Sequence, residues 1–135
     1  MRLATALVLA SAVLAVAVTP TASADPTVLP EVPLPADGAM FTDNPQIVRP
    51  QLLHIESWSR MDPAPQLTLN FLSSSQNCVG AHVTVQETDQ TVQVTLTGGQ
   101  RPDTVGRMCM TLVAPAKIVV PLGGPVGDRA VLVAE

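Results

Sequence analysis

Aromatic residues are almost absent from this chain of 135 residues: Trp58, Phe41 and Phe71 stand alone, and tyrosine is missing. Carbohydrate and single-strand-binding surfaces use aromatic stacking platforms, and one tryptophan makes little of one. Positive charge is sparse too. Arg49, Arg60, Arg101, Arg107, Lys117 and Arg129 are scattered, which argues against the basic cluster that a nucleic-acid partner requires. The two histidines, His54 and His82, are far apart and form no H-x-H or H-x-x-x-H pair, so a metal site is not expected. Ser73, Ser74 and Ser75 lack the G-x-S-x-G context of a nucleophile elbow. Glu87 and Asp89 fall at an expected hairpin tip, where polar residues serve the turn rather than paired-carboxylate catalysis. Met108 and Met110 read as core filler rather than as soft-metal ligands. No catalytic set and no cofactor emerge from these residues.

What the chain does have begins at its N-terminus. Arg2 precedes an uncharged run of 16 residues, 3–18, dominated by Ala, Val and Leu. Pro20 breaks that run, and Ala22-Ser23-Ala24 places small residues at the −3 and −1 positions of a signal-peptidase site. The order predicts a secretory signal peptide over residues 1–24, cleaved before Asp25. The run is shorter than the roughly 20 residues of a membrane-spanning helix, so no stable span is expected after cleavage. No cysteine lies near the cleavage site, which argues against a lipid anchor. Loss of Arg2 leaves six cations against eleven anions, taking the net charge from −4 to −5.

Cys78 and Cys109 are the two cysteines. In an exported protein without C-x-x-C spacing they predict one disulfide. It would close a loop of about 31 residues, for which chain entropy gives roughly 3 to 4 kcal/mol. Residues 25–39 carry Pro26, Pro30, Pro33 and Pro35. Proline fixes φ and removes backbone donors, so this stretch reads as a flexible, polyproline-like segment outside the domain, a linker more than a ligand. Residues 40–135 are then the disulfide-tied β-domain.

Within that domain, prolines 45, 50, 63 and 65 exclude a long helix from residues 40–65. Residues 52–59, with Trp58, read as a strand or a covering segment. Leu67, Leu69 and Phe71 alternate with Thr68 and Asn70, the period of a half-buried strand. Val79, Ala81, Val83 and Val85 do likewise, and after a polar tip so do Val92, Val94 and Leu96. A hairpin centred on Thr88-Asp89 sets Val85 opposite Val92 and Val83 opposite Val94, with both apolar sets on one face. Gly98-Gly99 is expected to end the second arm. Met108, Met110 and Leu112 read as a further strand, turning over Ala114-Pro115-Ala116 into Ile118, Val120 and Leu122. A last strand runs through Val131 and Val133. About six strands at short spacing predict an all-β fold, a small antiparallel sandwich or curled meander.

The cysteines share the parity of Thr84 and Thr111, not of the valines and methionines. The disulfide is therefore expected off the main apolar face, stapling two strands on a second face that Phe41 and Trp58 partly cover. Asp128-Arg129 is the most suggestive charged pair. In a turn, Asp128 would bond backbone amides while Arg129 packs its stem on the sheet.

Residues 85–88 (V-x-E-T), residues 92–96 (V-x-V-x-L), Cys109 and residues 120–131 (V-P-L-x-x-P-x-G-D-R-x-V) together resemble small secreted proteins of mycobacteria and related actinobacteria. The resemblance covers under half of the chain. It implies a secreted domain and the Cys78–Cys109 pairing, and it carries no catalytic residue. The leading expectation is a secreted or envelope-associated, non-enzymatic module that binds a protein, an envelope component or another ligand. One alternative is an enzyme inhibitor presenting the 98–107 loop through Arg101. Another is a minor hydrolase or ligand carrier with a pocket near His54 and Trp58. Trp58, His54, Arg101, Asp128 and Arg129 are the candidate contact residues.

Overall fold

The computed structural model describes residues 12–17 and 25–134, and the expected cleavage residues Ala22 and Ala24 lie outside them. Residues 12–17 are exposed and Asp25 is exposed. Among the described residues, no helix is long and apolar enough to cross a membrane.

The chain folds as an all-β sandwich of nine strands among the described residues. They are β1 Thr27–Val28, β2 Ala39–Phe41, β3 Val48–Leu52, β4 Ile55–Arg60, β5 Gln66–Ser73, β6 Val79–Glu87, β7 Thr91–Gln100, β8 Ala114–Pro121 and β9 Ala130–Val133. One sheet runs β1-β9-β7-β3, with β6 on the other edge of β7, and the second runs β2-β8-β5-β4. Both sheets are mixed rather than wholly antiparallel, because β7 pairs with β9 and β2 with β8 in parallel. Strand alternation sets the core between them. Val92, Val94, Leu96 and Val131 from one sheet meet Leu67, Leu69, Phe71, Ile118 and Val120 from the other, all at 1 % exposure or less. The Phe41 and Phe71 rings pack edge-tilted with centroids 5.5 Å apart.

The β6–β7 hairpin forms with both apolar sets on one face, but its pairing is two residues from the expected one. Val85 lies opposite Val94 and Val83 opposite Leu96. The turn is centred on Asp89-Gln90, because the Thr88 amide bonds the Thr91 carbonyl at 2.9 Å and the Thr88 hydroxyl accepts the Thr91 amide at 2.9 Å. A two-residue shift preserves side-chain parity, so alternation alone does not distinguish the two registers.

The 25–39 segment is extended, as proline requires, yet it belongs to the sandwich. β1 pairs with β9, and Leu29 is buried in the core. Pro30 and Val32 exchange backbone bonds with Trp58 at the β4 edge. The chain then reaches β2 at the opposite edge of the same sheet, and on the way the Pro35 carbonyl accepts Lys117 Nζ at 2.7 Å. It therefore straps the outer face of that sheet. Ser57, Ser59, Thr68 and Asn70 on this face are buried, with the Asn70 amide donating to Ser57 and Ser59 at 3.1 and 3.0 Å.

Two further expectations are corrected. Met108, Met110 and Leu112 form no strand, and the presumed turn at 114–116 is the start of β8, which pairs with β5 over eight residues. With β5 on one side and β2 on the other, β8 leaves residues 108–112 no edge to join. Gly98 and Gly99 do not end a strand; β7 continues through them to Gln100. Here β3 is irregular, with a register shift between Val48 and Gln51 and a positive φ at Arg49. A Cβ on Gly99 would lie 2.6 Å from the Val48 carbonyl oxygen, and one on Gly98 2.6 Å from Leu53 Cδ1. The glycine pair lets β3 lie this close.

Gly99→Ala should therefore destabilise the domain by about 1 to 3 kcal/mol through overpacking against backbone. Gly124→Ala, where a Cβ meets nothing within 4 Å, should stay within about 0.5 kcal/mol of the parent. Urea midpoints of the two variants check the contrast.

Candidate interaction site

The disulfide joins Cys78, immediately before β6, to Cys109 in the connection between β7 and β8, with Cα atoms 5.9 Å apart. Cys78 and Cys109 are both half-buried. The bond lies off the valine face, but it ties a strand end to a loop rather than two strands. Trp58 and Phe41 are both in the core, at 4 and 5 % exposure, and Phe41 also borders the hollows beside Asn77, Val79 and Met110, the neighbours of the two half-cystines.

The β7–β8 connection is built from its first residues outward. The Arg101 amide bonds the Cys78 carbonyl at 3.0 Å, and a single 3-10 turn, Pro102–Thr104, follows. Thr104 is buried, and its hydroxyl faces the Cys78 and Arg101 carbonyls, each at 2.9 Å. Gln100 Nε2 donates to the Thr104 carbonyl at 2.9 Å. Gly106 then reverses the chain with φ 86°, a conformation in which glycine has no steric penalty. The loop is thus anchored at Thr104, pinned again at Cys109 and recaptured by β8. Between those points its apolar side chains face water. Met108 is fully exposed, Met110 and Leu112 are 70 and 71 % exposed, and Val113 and Val105 are 60 and 54 %. Sequence alternation identified Met108, Met110 and Leu112 as one set but assigned it to the core. Its proximity to a half-cystine was the available signal for a presented loop.

Two of the hollows that border the β7–β8 connection bear on the candidate residues. One of about 470 Å³ is polar, lined by Asp43, Asn44, Gln76, Asn77, Gly80 and Arg101. The other, of about 340 Å³, lies between Met110 and Leu112 on the loop and Phe41, Pro115 and Ala116 on the sheet. Arg101 borders the first hollow but is not free to enter a partner. Its Nε and Nη2 hold Asp103 at 3.1 and 3.0 Å, and Nη1 donates to the Gln76 carbonyl at 3.1 Å.

The remaining candidates fall elsewhere. His54 is exposed between β3 and β4, beside a recess of about 210 Å³ lined by Leu53, Ile55, Leu96 and Val133 but not by Trp58. His82 meets Asp43 through Nδ1 at 2.8 Å, and the same carboxylate oxygen accepts the Val83 amide at 2.9 Å. Among the described residues, no three His, Cys, Asp or Glu side chains gather to hold a metal ion.

Asp128 and Arg129 separate. Asp128 is exposed, and it is Asp62 that takes turn amides here, those of Val126 and Gly127, at 3.0 and 3.1 Å. Asp62 reaches them because Arg60 spans it and Glu31, both at 2.8 Å. Arg129 donates to Glu87 at 2.9 Å and to the Val126 and Pro125 carbonyls at 3.2 and 2.9 Å. Glu87 also accepts the Gly123 amide at 2.9 Å. The β8–β9 turn is therefore clasped by two carboxylates and two guanidinium groups. Desolvation opposes ionisation of Asp62, but Arg60 and the Gly127 and Val126 amides hold its carboxyl below the ordinary range. The Gly123 amide, then Arg129, lower that of Glu87. Glu31 and Asp62 raise the Arg60 pKa further above its already high value.

Folded pKa values below the unfolded ones make these carboxylates stabilising above the unfolded values, about 3.9 for Asp and 4.3 for Glu. That contribution is lost as pH falls through the depressed folded values. The urea midpoint should fall on acidification from pH 6 to pH 3, and Asp62→Asn with Glu87→Gln should flatten that acid limb. Separately, replacing both cysteines by alanine opens the 31-residue link and should cost about 3 kcal/mol, again read by urea unfolding.

No protein-family model matches this chain, and no curated protein or solved structure is similar to it.

Proposed function

We propose that this protein is a secreted or cell-envelope-associated, non-enzymatic interaction module that docks a protein partner through the disulfide-pinned loop of residues 105–113. The observation that carries the reading is the exposure of Met108, Met110, Leu112 and Val113 on a segment tethered at Cys109. Contiguous exposed apolar side chains mark interaction surfaces. Methionine and leucine on a tethered loop present adaptable apolar contact while losing less conformational freedom on binding than a free loop would. Export is supported by the leader-like residues 1–24 and by a disulfide, which persists in oxidising compartments. The inhibitor reading has less support, because Arg101 is held by Asp103 and the Gln76 carbonyl.

The test compares affinity capture from envelope extract by the wild type and by Met108→Ser/Met110→Ser/Leu112→Ser. These side chains are exposed, so the variant should unfold at the same urea concentration within about 0.5 kcal/mol. Loss of a specific captured protein, with stability unchanged, is the expected result. Capture of the same proteins by the variant would refute the loop as the docking element.

A further inference from the structure

We propose that Met108 and Met110 form a paired oxidation site, through which peroxide-class oxidants convert the loop from apolar to polar. The accessibility of the sulfur-bearing residues separates them. Met108 is fully exposed and Met110 is 70 % exposed, whereas Met40 is 47 % exposed on β2 and Met61 is largely covered. Thioether oxidation follows exposure, and it replaces a flexible apolar side chain by a polar one. Both cysteines are already committed to the disulfide, so no thiol competes for the oxidant. Trp58, the one indole of the chain, is buried. Among the described residues, the two most exposed oxidant-sensitive side chains thus lie on either side of Cys109.

The step balances with hydrogen peroxide as the co-reactant. The thioether sulfur attacks one peroxide oxygen, an S–O bond forms and the O–O bond breaks. Sulfur is oxidised by two electrons, the peroxide is reduced, and the departing hydroxide takes the remaining proton as water. The product is the sulfoxide, which methionine sulfoxide reductases return to the thioether. Met108 and Met110 line one recess together with Cys109, Thr111 and Leu112, so both sulfoxides adjoin the same stretch of surface. Met110 also lines the hollow shared with Leu112, Phe41 and Ala116, placing a new dipole beside those apolar side chains. Neither sulfur is in the core, so oxidation changes the surface and leaves the fold intact. The consequence for docking rests on the loop being the docking element; the selectivity of oxidation does not.

The experiment treats the purified protein with dilute hydrogen peroxide and maps sulfoxides by peptide mass spectrometry over time. Sulfoxide should accumulate at Met108 and Met110 severalfold faster than at Met40, with Met61 slowest, while the urea midpoint stays constant. Retention on phenyl-agarose should fall with oxidation and return after reductase treatment. Met108→Leu/Met110→Leu should keep its retention and ignore peroxide. Oxidation of Met61 at the rate of Met108, or unchanged retention of the doubly oxidised protein, overturns the proposal. If mapping shows the selectivity but the serine variant still captures the same partner, the oxidation site stands and the docking reading fails. Without the selectivity the site fails, and the capture comparison still decides the docking reading.

Discussion

The pairing of β8 with β5 connects segments more than forty residues apart in eight consecutive register positions. β7, the strand before β8, belongs to the other sheet, so the chain must pass between sheets after Gln100. That passage cannot contribute to either ladder. Its apolar residues are left outside the core, and the disulfide holds the passage against the start of β6. The position of β8 also gives β2 an edge to join, which fixes where the Pro-rich strap must land. The exposed loop, the strap and the second sheet are three consequences of one long-range ladder.

Electrostatics reinforce this frame at its other end. Arg60 links Glu31 in the strap to Asp62 beyond β4 and donates to the Gly127 carbonyl at 2.8 Å. Its guanidinium also lies 5.1 Å from the Trp58 ring centroid, a cation–π distance. Arg129 and Glu87 close the same turn from the first sheet. Each pair alone is a partly exposed ion pair of modest worth. Together they satisfy the backbone amides of a turn that makes no ladder, and so determine where β9 starts.

Much of the fold was legible because alternation reports which face is buried. Leu67, Leu69 and Phe71, and Val92, Val94 and Leu96, point where their period places them. Alternation does not report what the other face meets. Met108, Met110 and Leu112 have the same period, but a strand needs a free edge, and β8 has already occupied the β5 edge. Proline misled in the opposite sense. Pro26, Pro30, Pro33 and Pro35 exclude a central strand, yet an edge or a strap needs few amide donors, and two-residue β1 with Leu29 behind it suffices to integrate the segment. The candidate site was hidden for a related reason. A presented apolar loop and a core strand share composition, and only the three-dimensional path tells them apart.

The strap also sets the order in which this molecule can become itself. β1 pairs with β9, so Thr27 at one end of the fold meets Val133 at the other. A chain delivered N-terminus first, from a ribosome or through a translocation pore, offers β1 no partner until the last strand has emerged. The β6–β7 hairpin can close locally within that interval, but the sheet that β1 completes cannot. Completion of that sheet is thereby deferred until β9 has emerged, because the β1–β9 pairing joins the segments furthest apart in the fold.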